Sequence, residues 1–206
     1  MAKRQHYNTV FEESKVYHVY NRAINNEQLF LNDNNCEYFL KKYDHYLSDY
    51  VDTYAWCLMG NHFHLMIRVK ENFGAAGSPN LDKDIAKKQI DNPISNQFNL
   101  FFRSYALAFN KQNKRIGSLF QSPFKRVAVE NENYFTNLLC YIHNNAVHHG
   151  IVKSTENWKW SSYQTILSEA PTKVKREMVL KWFNGKVEFI EYHKQKNNLT
   201  EELIIE

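Results

Sequence analysis

Two apolar runs broken by a Gly-Asn pair constrain this chain more than any other stretch: Trp56-Cys57-Leu58-Met59-Gly60-Asn61-His62-Phe63-His64-Leu65-Met66-Ile67-Arg68-Val69. The pattern reads as a strand, a tight turn and a second strand, an antiparallel hairpin covering about residues 53–59 and 62–70. Side chains alternate faces along a strand, so His62 and His64 share one face and Phe63 takes the other. Two imidazoles one strand-step apart form a divalent-metal clamp. An arbitrary H-x-H is more often a pair of half-exposed strand histidines, so the clamp needs a further partner.

A helix some eighty residues on offers one. In residues 131–145, Phe135, Leu138, Leu139 and Ile142 recur at i, i+3, i+4, i+7, which predicts one buried helix face. Asn131 is placed to cap it, and Glu132 favours the positive helix start. Tyr141 and Asn145, four apart, stack on one face beside that apolar stripe. Taken alone, Tyr141 reads as an amphipathic rim residue, one of 13 tyrosines, and Asn145 as a helix end ahead of Gly150.

The remaining elements follow from period and punctuation. Residues 15–22 alternate as a strand, with His18 and Tyr20 opposite Tyr17 and Val19. Asp33 or Asn34 is expected to cap a helix to about Leu47, and Ser95 one through about Asn110. Residues 71–93 are polar and rich in breakers, a surface excursion with a short helix expected at 81–90. A fourth strand is expected at 124–130. The order β-α-β-β-α-β predicts an α+β, ferredoxin-like antiparallel sheet with helices on one face, followed by the Tyr141 helix and short C-terminal helices. These last are a helix carrying Trp160 and Tyr163, then helices at 174–183 and 186–194. Trp182, Phe183, Phe189 and Ile190 are expected to bury against the core or a second subunit.

Hydrophobic residues make up 43% of the 206, enough for a proper core. No apolar run approaches the ~20 residues of a membrane span, and the N-terminus has no apolar leader core. Three cysteines without a C-x-x-C pair argue for a reducing compartment, against a disulfide framework or a zinc ribbon. Between Asn92 and Thr155, seven lysines and arginines face two acids, a surplus above the whole chain's +4. Arg103, Lys111, Lys114, Arg115, Lys125 and Arg126, with Phe120 among them, suit a polyanion whose bases stack. A solvated basic face is the commoner meaning of such a window.

The blocks together resemble a known family. Val16-Tyr17-His18-Val19-Tyr20-Asn21-Arg22, Leu58-Met59-Gly60-Asn61-His62-Phe63-His64-Leu65 and Gly117-Ser118-Leu119-Phe120-Gln121-Ser122-Pro123-Phe124-Lys125 are followed by Tyr141-Ile142-His143-Asn144-Asn145-Ala146-Val147 and Trp160-Ser161-Ser162-Tyr163. In that order, over about residues 14–168, they resemble the single-tyrosine HUH transposases, in particular the REP-associated branch. The resemblance implies that His62 and His64 are metal ligands, Asn145 the third ligand and Tyr141 the nucleophile. It implies Mg²⁺, with Mn²⁺ expected to substitute, and single-stranded or hairpin DNA as partner, nicked and rejoined through a 5′-phosphotyrosine. A cytoplasmic, nucleoid-associated protein with no membrane partner is expected, and a homodimer is allowed. The alternative is a catalytically silent DNA-binding regulator of the same fold. Residues 1–168 would form the transposase-like domain and 169–206 a helical appendage. Gly60 and Ala146 depart from the family, which usually carries proline at both places.

Overall fold

Alternation and turn chemistry produce a four-stranded antiparallel sheet in the computed structural model, which describes residues 9–71 and 92–196. Strands β1 (Val16–Arg22), β2 (Val51–Met59), β3 (His62–Val69) and β4 (Lys125–Ala128) lie in the order β2-β3-β1-β4. Helix α1 (Asp33–Leu47) links β1 to β2, and α2 (Pro93–Gln112) links β3 to β4. This is the ferredoxin-like plan that the element order predicts. The Gly60-Asn61 turn closes the β2–β3 hairpin with Met59 opposite His62.

The two faces of the sheet have different covers. Tyr17 and Val19 of β1 and Phe63, Leu65 and Ile67 of β3 pack beneath α1 and α2. Aromatic pairs fill that layer: Phe39 sits 5.0 Å from Phe63 and 4.8 Å from Phe101 between ring centroids. A bulge between Thr53 and Ala55 switches the parity of β2. Val51 therefore faces the α1/α2 core, whereas Ala55, Cys57 and Met59 face the opposite layer. That layer belongs to α3 (Glu132–His148), laid across β2 and β3.

Asparagines start all three long helices. The side chains of Asn32, Asn92 and Asn131 accept from the backbone N–H of Asn35, Ile94 and Tyr134 at 3.1, 3.1 and 2.8 Å. Two starts thus fall earlier than the sequence suggested. Pro93 opens α2 rather than closing the preceding segment, since its fixed φ suits the first helical position, and Ser95 is buried within the helix. The helix expected at 81–90 lies outside the described residues.

The C-terminal part covers α3 and the free edge of β2. Trp160 precedes α4 (Tyr163–Leu167) instead of lying within it; its carbonyl accepts from Leu58 N–H at 2.8 Å, and Ser161 bridges to Cys57. Val174 pairs with Thr53, so the edge is shielded from strand addition. Helices α5 (Arg176–Trp182) and α6 (Lys186–Lys196) follow, and Phe183 and Phe189 join the buried α3 layer while Trp182 stays part-exposed, stacked on Phe135. Among the described residues no helix is long and apolar enough to cross a membrane.

Candidate functional site

Register decides what surrounds the histidine pair. β1 and β3 pair with Tyr20 opposite His64 and Arg22 opposite His62. His18, Tyr20, Arg22, His62 and His64 therefore share the face that α3 covers. The ring centroids of His62 and His64 lie 5.2 Å apart, nearly perpendicular. Both are buried, at 5% and 1% exposure, unlike the half-exposed pair that an arbitrary H-x-H more often is.

Tyr141 and Asn145 come from α3. That helix is enclosed by the sheet on one side and by α6 on the other, so both residues are buried rather than on a rim, Asn145 completely. Their spacing of four places them on the side facing β3. The Tyr141 ring meets the His64 ring edge-on at 5.6 Å, and Asn145 Oδ1 lies 3.0 Å from His62 Nε2.

The atoms at this junction are of one kind. His62 Nδ1 contacts Asn61 Oδ1 at 2.6 Å, which makes it the N–H donor and leaves a lone pair on Nε2 of the neutral ring. Two electron-pair donors, His62 Nε2 and Asn145 Oδ1, then face each other, an arrangement that a proton or a cation between them relieves. Asn145 Nδ2 is buried without a hydrogen-bond partner among the described residues, and so is His64 Nε2. His62 Nε2, His64 Nε2 and Asn145 Oδ1 are, by their chemistry, a donor set that suits a divalent metal, two imidazoles and an amide oxygen. Among the described residues no group of three His, Cys, Asp or Glu side chains is built to hold one.

Electrostatics keep the ring nitrogens available. Burial drives the His64 imidazolium well below its ordinary range, helped by His18, His62, His149 and Arg22. Burial also pushes His18 down to about 3. Beside the pair opens a cavity of about 240 Å³, lined by Tyr20, Asn21, Arg22, His62, Phe63, His64, Gln121 and Lys125. Lys125 Nζ stands 5.5 Å over the Tyr20 ring, so two cations, Arg22 and Lys125, border it.

The basic candidates are not one surface. Lys125 lines the cavity, whereas its neighbour Arg126 points to the other face. Arg126 lies over Phe11 and Phe124 at 4.9 and 5.1 Å and donates to the Thr9 carbonyl. Arg115 ties down the loop after α2 through Glu27, Asn110 and the Gly117 carbonyl. Phe120 is half-buried, with one side 5.0 Å from Phe102 at the margin of the α1/α2 core. Arg103, Lys111 and Lys114 are exposed.

Two residues at the site escaped the sequence reading of roles, His18 and Arg22. Alternation put His18 on the right strand face, but nothing local says that β1 lies against β3 in this register. His18 Nε2 sits 2.9 Å from His64 Nδ1.

No family model matches the chain. In sequence it is 27% identical over 114 residues to a REP-associated tyrosine transposase of Haemophilus influenzae, across 54% of this chain and 58% of that relative. The match thus spans little more than half of either chain. In fold it is similar to a REP-associated tyrosine transposase solved bound to a REP hairpin, with a TM-score of 0.61 over 80% of this chain and 87% of that one. Identity there is 16%, so that likeness is one of architecture. The sequence relative and the fold neighbour are both described as REP-associated tyrosine transposases, the group that the motif blocks resemble.

Proposed function

We propose that this chain nicks and rejoins single-stranded DNA by attack of Tyr141 on a phosphodiester, beside a divalent metal held by His62, His64 and Asn145. The observation that carries this reading is the convergence of His62 Nε2 and Asn145 Oδ1 at 3.0 Å, with Tyr141 one helical turn away against His64.

Arg22 and Lys125 bring the phosphate into the cavity by charge. The Tyr141 phenol oxygen bonds to phosphorus, and the bond from phosphorus to the 3′ oxygen breaks. The phenol proton leaves, and the 3′ oxygen takes up a proton as a free hydroxyl. The 5′-phosphotyrosine keeps the phosphodiester energy, so a second 3′-hydroxyl can displace the tyrosine and restore it. A divalent ion, held by His62, His64 and Asn145, would supply charge neutralisation at the scissile phosphate. Mg²⁺ is the ion of this reading; Mn²⁺, which accepts imidazole more readily, substitutes. A metal-water hydrolase needs a carboxylate base, and the residues lining the cavity include none.

Because the fold neighbour is described with a REP hairpin, hairpin DNA with single-stranded flanks is the substrate to try first. The same reading places the protein in the cytoplasm, at the nucleoid when bound. The test is a denaturing gel of end-labelled DNA with Mg²⁺ or Mn²⁺. Wild type should form a covalent adduct; Tyr141→Phe, which removes only the hydroxyl, should bind DNA with near wild-type affinity and form none. A wild type that cuts without becoming attached, or a Tyr141→Phe variant that still becomes attached, overturns the mechanism. A wild type that binds and never cuts identifies the silent regulator.

A further inference from the structure

We propose that His18 is a positioning residue for His64: its Nε2 accepts the Nδ1–H of His64 and so presents the bare Nε2 of His64 to the cation. This rests on the metal reading above and assigns a role to a residue outside the ligand set.

The geometry supports it from several sides. His18 and His64 are fully or almost fully buried, at 0% and 1% exposure, and their near nitrogens are 2.9 Å apart. The Tyr20 ring stacks on His18 at 4.6 Å and lies 5.7 Å from His64, so the His18 ring is held in place by its strand neighbour. Only one proton fits between two nitrogens at that distance. If His18 donates it, the remaining proton of a neutral His64 sits on Nε2 and occupies the position that a cation needs. If His64 donates it, Nε2 is bare, and that nitrogen has no protein partner among the described residues. Metal binding thus selects the second arrangement, with the His18 proton on Nδ1. The pair acts as the outer support that a histidine ligand commonly receives from a carboxylate or a carbonyl. The acidic groups that often fill that place are missing from the described face; an uncharged imidazole takes it.

The test is Mn²⁺ binding to the full chain without DNA, followed by electron paramagnetic resonance. His18→Phe keeps a ring and loses the acceptor, whereas His18→Gln carries an amide oxygen about where Nε2 stands. Mn²⁺ affinity should fall ~10–100-fold in His18→Phe, and His18→Gln should recover most of it. Thermal unfolding of the metal-free proteins checks that both variants fold. A ¹⁵N histidine spectrum of wild type loaded with Zn²⁺ needs no variant, and it should show His64 protonated on Nδ1. Equal Mn²⁺ affinity in wild type and His18→Phe, or a Zn²⁺-loaded His64 without an Nδ1 proton, overturns the role of His18 and leaves the Tyr141 chemistry standing. A wild type that binds no Mn²⁺ overturns both.

Discussion

Asn145 turns toward His62 the atom that an ordinary hydrogen bond would turn away. Its oxygen faces a ring nitrogen while its buried Nδ2 has no partner among the described residues, and leaving such a group unmade costs about 1–3 kcal/mol. Asn145→Ala removes that liability together with the donor atom, at the expense of a small cavity. Metal-free stability of Asn145→Ala should therefore change little, by about 1 kcal/mol or less, while its response to metal should shrink. At Mn²⁺ one hundred times above Kd, wild type should gain about 2.7 kcal/mol in urea unfolding. An equal gain in Asn145→Ala would remove it from the ligand set. The departures from the motifs that the chain resembles are also matters of single residues. A side chain at Gly60 would meet the Gln28 amide oxygen, so glycine leaves that side chain room against the hairpin turn. Ala146 keeps its N–H, which lets α3 run unbroken to His148 and holds Tyr141 and Asn145 on one rigid element.

α3 and its C-terminal cover form the element on which the site depends. A proline at 146, as the family usually has, would remove an intrahelical hydrogen bond and press on the preceding turn. Ala146→Pro should lower stability by about 3 kcal/mol, read as a shift of the urea midpoint at unchanged slope. The helix is tied to α6 through His193, whose Nε2 lies 2.9 Å from His143 Nδ1 and whose Nδ1 donates to the Phe189 carbonyl at 2.7 Å. His143 in turn contacts Ser162 Oγ at 2.8 Å. Phe183, Phe189 and Tyr163 enclose His193, and His143 is the titratable imidazole it faces. Burial pushes His193 from 6.5 to about 4. A histidine with a lowered folded pKa favours the unfolded state on protonation. Its contribution is complete above about pH 6.5, declines as pH falls toward about 4, and is lost below that. The loss amounts to on the order of 3 kcal/mol at about 1.4 kcal/mol per unit. Urea unfolding at pH 7.5, 5.5 and 4.5 should show this decline, and His193→Phe should make it shallower, the share of the buried His18, His64 and His143 remaining.

At the scale of the whole molecule, the sheet separates an aromatic structural face from a histidine-bearing face, and the basic residues divide the same way. Lys125→Ala should weaken DNA binding and reduce the slope of log affinity against log salt by roughly one contact. Arg126→Ala should leave that slope alone and lower stability instead, through lost contacts with Phe11 and Phe124. Single-stranded or hairpin DNA should bind more tightly than plain duplex at equal salt, which labelled oligonucleotide titration measures. Period, turn chemistry and capping act over a few residues, so the sequence carries the elements and their order. It also determined that His62 and His64 share a face and that Tyr141 and Asn145 share another, since both follow from strand and helix geometry. Which strand lies beside β3, and hence that His18 and Arg22 stand at the site, is settled by packing between distant segments. Packing likewise sets Arg126 over Phe11 and Phe124 and one side of Phe120 against Phe102, leaving both half-buried. Charge along the chain carries no record of facing. Register between strands distant in sequence is set by the burial of both sheet faces at once, and no local stretch contains that information.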